Sequence, residues 1–179
     1  MKENSLSFLG STKNFQQAQG VIFGAPFDGT TSFRAGARFA PANMRENSYG
    51  IETYSPYQKR DLEEIQFFDA GDLEIPFGNP EKALDLVENF TQKILDHKKI
   101  PIMLGGEHLL TLGSVRALFK HYPNLHVIHF DAHADLRDNY LGEVLSHATV
   151  MKRILDFLGN HKIYQFGIRS GEKEEFTLA

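Results

Sequence analysis

Five short apolar runs constrain what this chain can fold into more than any other feature: "GVIFGAP" at 20–26, "IQFFDAGD" at 65–72, "KIPIMLGG" at 99–106, "LHVIHFDAH" at 125–133 and "KIYQFGIRS" at 162–170. Most are apolar on both faces instead of alternating, as strands buried in a parallel sheet are. Helical patterns separate them. Asn79 and Pro80 open one, with Asn at the cap and Pro in the first turn, and Leu84, Val87, Phe90 and Ile94 follow at steps of three and four. A second spans about 109–121 with Leu112, Val115 and Phe119 on one face, and a third about 147–158 through Val150, Ile154 and Phe157. A shorter one starts at Pro41 and carries Met44 and Arg45. Alternating strand and helix predicts an α/β fold with a mostly parallel sheet. No internal repeat, low-complexity tract or linker interrupts the 179 residues, so one domain over 1–179 is expected. The chain stops a few residues after the fifth run, in "GEKEEFTLA", with no further strand to cover the sheet's last edge. An open parallel edge is a liability, so the domain is expected to be incomplete at its C-terminus, the N-terminal portion of a larger one.

Composition narrows the function. The formal net charge is -4, without the basic footprint of a nucleic-acid binder. There is no cysteine, which excludes a disulfide framework, a thiolate metal site and a cysteine nucleophile. Any metal must sit on oxygen and imidazole ligands, a set that suits manganese, magnesium, zinc or iron. The opening "MKENSLSFLG" lacks the basic and apolar regions of a signal peptide, and no apolar run approaches a membrane span. A soluble cytoplasmic protein is expected.

In open α/β sheets, ligands bind beyond the carboxyl ends of the strands. Three of the runs end there in chemistry: "DAGD" (Asp69, Asp72), "GGEH" (Gly105 to His108) and "DAHAD" (Asp131 to Asp135). Side chains two apart on an extended segment share a face, so Asp131, His133 and Asp135 are expected to point together into the space that His108 enters from a neighbouring strand. Two imidazoles and two carboxylates then converge. A two-metal site needs a bridging carboxylate, and Asp131, between the histidines, is the natural bridge. Taken alone, Asp and His after a strand are equally ordinary cap and turn residues; the second histidine-bearing strand end favours a metal. Gly105 and Gly106 lack the glycine pattern of a phosphate loop. His97, His121 and His161 fall near helix ends, where a positive charge suits the dipole. His129 shares a face with Asp131 and reads as a satisfied core histidine or as a support for the site. Asp72 is a further candidate support, and Glu107 a candidate helix cap.

With these motifs on the page, the chain resembles the ureohydrolases, the family of arginases, agmatinases and their relatives. Gly105 to His108 is similar to the family's first metal motif, and Asp131 to Asp135 to its second. "GAPFDGTTSFRAGARFAPANMREN" at 24–47, "YSPY", "DAGDLEIPFGNP", "DLRDNYLGEVLSHAT" and "FGIRSGEKEEF" look like bacterial agmatinases, so the likeness covers nearly the whole chain. It implies a three-layer αβα sandwich, the arginase-like fold. It also implies manganese-dependent hydrolysis of a small guanidino substrate, agmatine to putrescine and urea, in polyamine synthesis. Arginase or guanidinobutyrase activity, and a non-catalytic fragment, are the alternatives. By the same likeness, His108 and Asp135 are ligands of one manganese, His133 of the other, and Asp131 their bridge. His147, in "LSHAT", matches the family's proton-shuttling histidine; as a residue opening a helix it equally fits a role without chemistry. Asn139 and the rest of the 136–146 loop are expected to shape the substrate pocket. A homo-oligomer is the family's habit. The family's third metal motif, which supplies two more carboxylates, has no counterpart here. With four ligands of the family's six, one manganese ion or none is expected in place of two.

Overall fold

The computed structural model describes residues 6–178. In chain order the strands are β1 Gly20–Ala25, β2 Tyr54–Ser55, β3 Arg60–Asp61, β4 Phe67–Asp72, β5 Ile100–Gly105, β6 Val127–Phe130 and β7 Ile163–Phe166. The helices are α1 Ala40–Ser48, α2 Pro80–Asp96, α3 Thr111–His121, α4 Val150–Leu158 and α5 Lys173–Leu178.

β1 is buried along its whole length and lies between β4 and β5, parallel to both. β6 and β7 form a second parallel pair, and β2 and β3 a two-residue antiparallel ladder. The α/β class and parallel pairing are as expected. Among the described residues, though, the five long runs make two hydrogen-bonded groups and not one sheet.

Alternation along β1 sends Val21, Phe23 and Ala25 to one face, in a buried cluster with Leu84, Val87 and Ile94 of α2, Leu112 and Val115 of α3, and Val150, Met151 and Ile154 of α4. Each large apolar side chain buried fully there contributes about 1.5–3 kcal/mol. The opposite face carries α1. Gly24 lies so close beneath it that a Cβ there would stand 2.8 Å from Cβ of Pro41. α2 starts as its sequence dictates: the Asn79 side chain accepts from the Lys82 N–H at 3.0 Å and Pro80 occupies the first turn.

Three runs depart from expectation in a way that matters for the site. The fourth ends as a strand at Phe130 and the fifth at Phe166, so "DAHAD" and "GIRS" are loops. The third predicted helix starts at Val150, three residues late, because 147–149 is a turn that holds His147. Nor are both faces of every strand covered: Ile100 and Ile102 of β5, Ile128 and Phe130 of β6, and Tyr164 and Phe166 of β7 are exposed. Asp72, a candidate support for the site, is taken by α1. Arg45, 1% exposed, donates from Nε to Asp69 Oδ2 at 2.7 Å and from Nη1 to Asp72 Oδ1 at 2.6 Å.

Candidate metal centre

The site grows from the ends of β5 and β6. After β5 the backbone turns hard against the segment that follows β1: the Gly106 N–H donates to Ala25 O at 3.0 Å and the Glu107 N–H to Phe27 O at 2.8 Å. A Cβ at Gly106 would lie 1.9 Å from Phe27 O, so only glycine fits; at Gly105 it would meet nothing. This turn delivers His108 to the start of a single 3-10 turn, His108–Leu110. Glu107 occupies the cap position without capping. It turns back instead and accepts from the Thr30 N–H at 2.8 Å and the Thr30 hydroxyl at 2.5 Å. Burial raises its pKa, against the lowering effect of the Thr30 hydrogen bonds.

Past β6 the chain leaves the extended conformation. Asp131 Oδ1 accepts from the His133 N–H at 2.7 Å, a tight side-chain turn. Asp135 has φ +52°, the left-handed region that aspartate tolerates better than most residues. The three residues therefore do not line one extended face. Asp135 turns inward, with Oδ2 2.7 Å from His108 Nδ1, while the His133 side chain stays 64% exposed. His129, inside β6, takes the inward place: the metal-capable atoms that lie within 4.8 Å of one another belong to His108, His129, Asp131 and Asp135.

The charges in this cluster are mutually adjusted. Burial works against ionisation of Asp131, but the His133 N–H and the neighbouring His108 and His129 hold its carboxyl below the usual aspartate range. Burial also lowers the pKa of His129, aided by His108, whose ring stacks on it at 5.0 Å. Both effects leave carboxylate and neutral imidazole, the forms that bind a cation. Oxygen and imidazole nitrogen without thiolate suit manganese. Asp131 also faces both sides, with Oδ2 3.9 Å from His108 Nδ1 and Oδ1 3.3 Å from His133 Nδ1, as a bridge would. The residues present fit a metal.

Beside the cluster lies a cavity of about 430 Å³. His108, Asp131, His133, Asp135 and His147 all line it, so five of the six predicted site residues share one space. His147 is locked from behind: its backbone N–H donates to the Thr30 hydroxyl at 3.2 Å, and Nδ1 lies 2.9 Å from the Thr30 carbonyl. A carbonyl only accepts, so Nδ1 carries the hydrogen and Nε2, 3.4 Å from Ser32 Oγ, keeps its lone pair toward the cavity side. Asn139, the sixth residue, is exposed and outside the lining, to which its neighbours Arg137 and Tyr140 contribute. Arg137 and Tyr140 belong to the 136–146 loop expected to shape the pocket, whereas the sequence singles out neither Thr30, Ser32, Gln165 nor Glu175. None of them lies in a metal motif; Thr30 and Ser32 do fall within the "GTTS" that the family likeness had already marked.

Comparison with known proteins gives the family. The Arginase family model matches residues 18–179. The agmatinase of Bacillus subtilis is 48% identical over 172 residues, which cover 96% of this chain and 59% of that protein. The N(1)-aminopropylagmatine ureohydrolase of Thermococcus kodakarensis is 42% identical over 166 residues, 92% of this chain and 56% of that one. The crystal structure of the agmatine ureohydrolase of Thermoplasma volcanium superimposes with a TM-score of 0.87 at 37% identity, covering 97% of this chain and 58% of that chain. The chain thus spans under two thirds of the length of these relatives.

Proposed function

The chain belongs to the arginase family, and on that premise we propose that it carries the catalytic metal cluster of a manganese-dependent ureohydrolase that cleaves agmatine to putrescine and urea. The observation that carries the reading is the convergence of His108, Asp131, Asp135 and His133 on one cavity that His147 also lines. In this reading His108, Asp131 and Asp135 would hold one ion, and His133 with Asp131 a second where one binds. When bound, the ions supply Lewis acidity: they make a nucleophile of water at neutral pH and offset the charge that develops on a guanidinium carbon under attack.

The residues do the rest. His147, its Nδ1–H held by Thr30, takes a proton from solvent at Nε2 and passes it to the departing amine when the C–N bond breaks. The 136–146 loop, with Asn139 among its residues, shapes the pocket for the aliphatic amine. A second reading has its own support. Arg137 also lines the cavity, and a guanidinium there suits a substrate with a carboxylate, such as guanidinobutyrate or arginine. Arg137 is engaged, however, by Glu172 at 2.9 Å and Glu175 at 3.6 Å, with its guanidinium over the Tyr140 ring. That leaves agmatine the better fit. No described helix is long and apolar enough to cross a membrane, and the reading places the enzyme in the cytoplasm.

The test is urea release by the manganese-loaded chain from agmatine, guanidinobutyrate and arginine in parallel, with bound manganese counted. Preferential release from agmatine supports the reading. Preference for a carboxylate-bearing substrate overturns it in favour of the second. Bound manganese with no urea from any of the three would mean that the cluster binds metal without performing hydrolysis in this chain.

A further inference from the structure

The proximity that places His129 among the metal-capable residues conceals a different role, and Gln165 reveals it. The amide nitrogen of Gln165 lies 2.7 Å from the Ala134 carbonyl and 2.9 Å from His129 Nδ1. The carbonyl can only accept, so the Gln165 amide must present its NH2 group there, and the second hydrogen of that group points at His129. The opposite amide orientation would set two acceptor oxygens against each other. His129 Nδ1 is therefore an acceptor and carries no hydrogen. The hydrogen of the neutral ring is then on Nε2, and Nε2 has no lone pair left for a metal.

What Nε2 faces is Asp131. Its distance to Asp131 Oδ2 is 3.5 Å, and it is buried without a hydrogen-bond partner among the described residues. Hydrogen bonds of this kind run to about 3.2 Å, so a shift of a few tenths of an ångström completes one. The ring cannot easily turn away. It stacks on His108 with 24° between the planes, and β6–β7 pairing sets His129 beside Gln165. The same Gln165 nitrogen pins the loop that carries both aspartates.

We propose that His129 is a positioning residue: Gln165 fixes it as the Nε2–H tautomer, and it donates to Asp131 Oδ2, orienting the carboxylate that the manganese site shares. The proposal rests on the metal reading given above, but not on catalysis. Supporting partners of this kind typically alter metal affinity by about 10–100-fold when removed.

Multiple-bond 1H–15N spectra of the labelled chain, with the His129 signals identified by their loss in His129→Phe, read the tautomer directly. The Nε2–H form is expected in the wild type, and a mixture of forms in Gln165→Met. Manganese titration by calorimetry is expected to show about 10–100-fold weaker binding in His129→Phe, with part of the loss recovered in His129→Gln, which keeps an N–H donor. Circular dichroism checks that both variants fold. The Nδ1–H tautomer in the wild type overturns the proposal. So does a nitrogen coupling from His129 in the electron spin-echo spectrum of the manganese-loaded chain, which would make it a ligand, or unchanged affinity in a folded His129→Phe. A wild type that binds no manganese overturns the proposal together with the metal reading beneath it. Bound manganese without urea release overturns only the catalytic reading.

Discussion

Arg45 shows what one side chain contributes once the fold has buried it. Its guanidinium is shared between Asp69 and Asp72 and also donates to the Gly71 carbonyl at 3.2 Å. Burial pushes the Asp69 carboxyl up, but hydrogen bonds from Arg45 and from the Gly71 and Phe8 N–H groups outweigh it and hold the carboxyl below its ordinary range. Arg45→Met leaves Asp69 buried and unpaired and is expected to cost about 3–5 kcal/mol in urea denaturation. Adding Asp69→Asn should recover part of that loss. Because the folded pKa of Asp69 is lowered, its stabilising contribution is complete above the usual aspartate range and is lost as pH falls through the lowered value. Glu107 has the opposite sign. Its pKa is raised in the fold, so the folded chain holds the proton longer than the unfolded one and stability falls as pH rises above the usual glutamate range. Glu107→Gln should flatten that part of the stability–pH curve, read from denaturation midpoints across a pH series. Thr30→Val removes the hydroxyl that Glu107 and the His147 N–H share. A loss of about 1–3 kcal/mol is expected, because Glu107 and the His147 N–H each lose a buried partner.

At the scale of elements, the site depends on how closely two backbones approach after β1 and β5. Gly105 and Gly106 look alike in the sequence, yet only Gly106 sits against Phe27. Gly106→Ala is expected to cost at least about 1–3 kcal/mol, as overpacking does, and to displace His108, which weakens manganese binding. Gly105→Ala should stay within about 0.5 kcal/mol of the parent. Thermal melts and manganese titration of the two variants check the contrast. The loop after β6 teaches the same lesson. The alternation of Asp131, His133 and Asp135 predicts one shared face, but that rule holds only for extended backbone. Asp135 takes a left-handed φ instead, and the clustered metal-capable atoms belong to His108, His129, Asp131 and Asp135.

Across the whole molecule, the β6–β7 pair and β5 carry apolar side chains with nothing over them among the described residues. Phe130 is 78% exposed and stacks on Phe166 at 5.4 Å, and Ile128 is 64% exposed beside them. Exposed apolar surface on parallel strands favours association. The double substitution Ile128→Lys, Phe130→Lys is expected to shift the chain toward monomer in sedimentation velocity with little change in helix content by circular dichroism. The sequence by itself determined the α/β class, the five parallel strands to within a few residues, the cap of α2, the family, and five of the residues that meet at the cluster's cavity. These are local matters: periodicity, caps and motif spacing are written within a few residues of one another. Only the tertiary structure decided that the strands divide into two groups, that Asp135 meets His108 while His133 is left largely exposed at the cavity, that Asp72 serves Arg45, and that Thr30 and Gln165 support the site. Each of those depends on residues far apart in the chain. Thr30 and His147 are separated by 117 positions, and Gln165 and His129 by 36. Hydrogen bonds and buried charges choose their partners by distance in space, which the order of residues along a chain does not record.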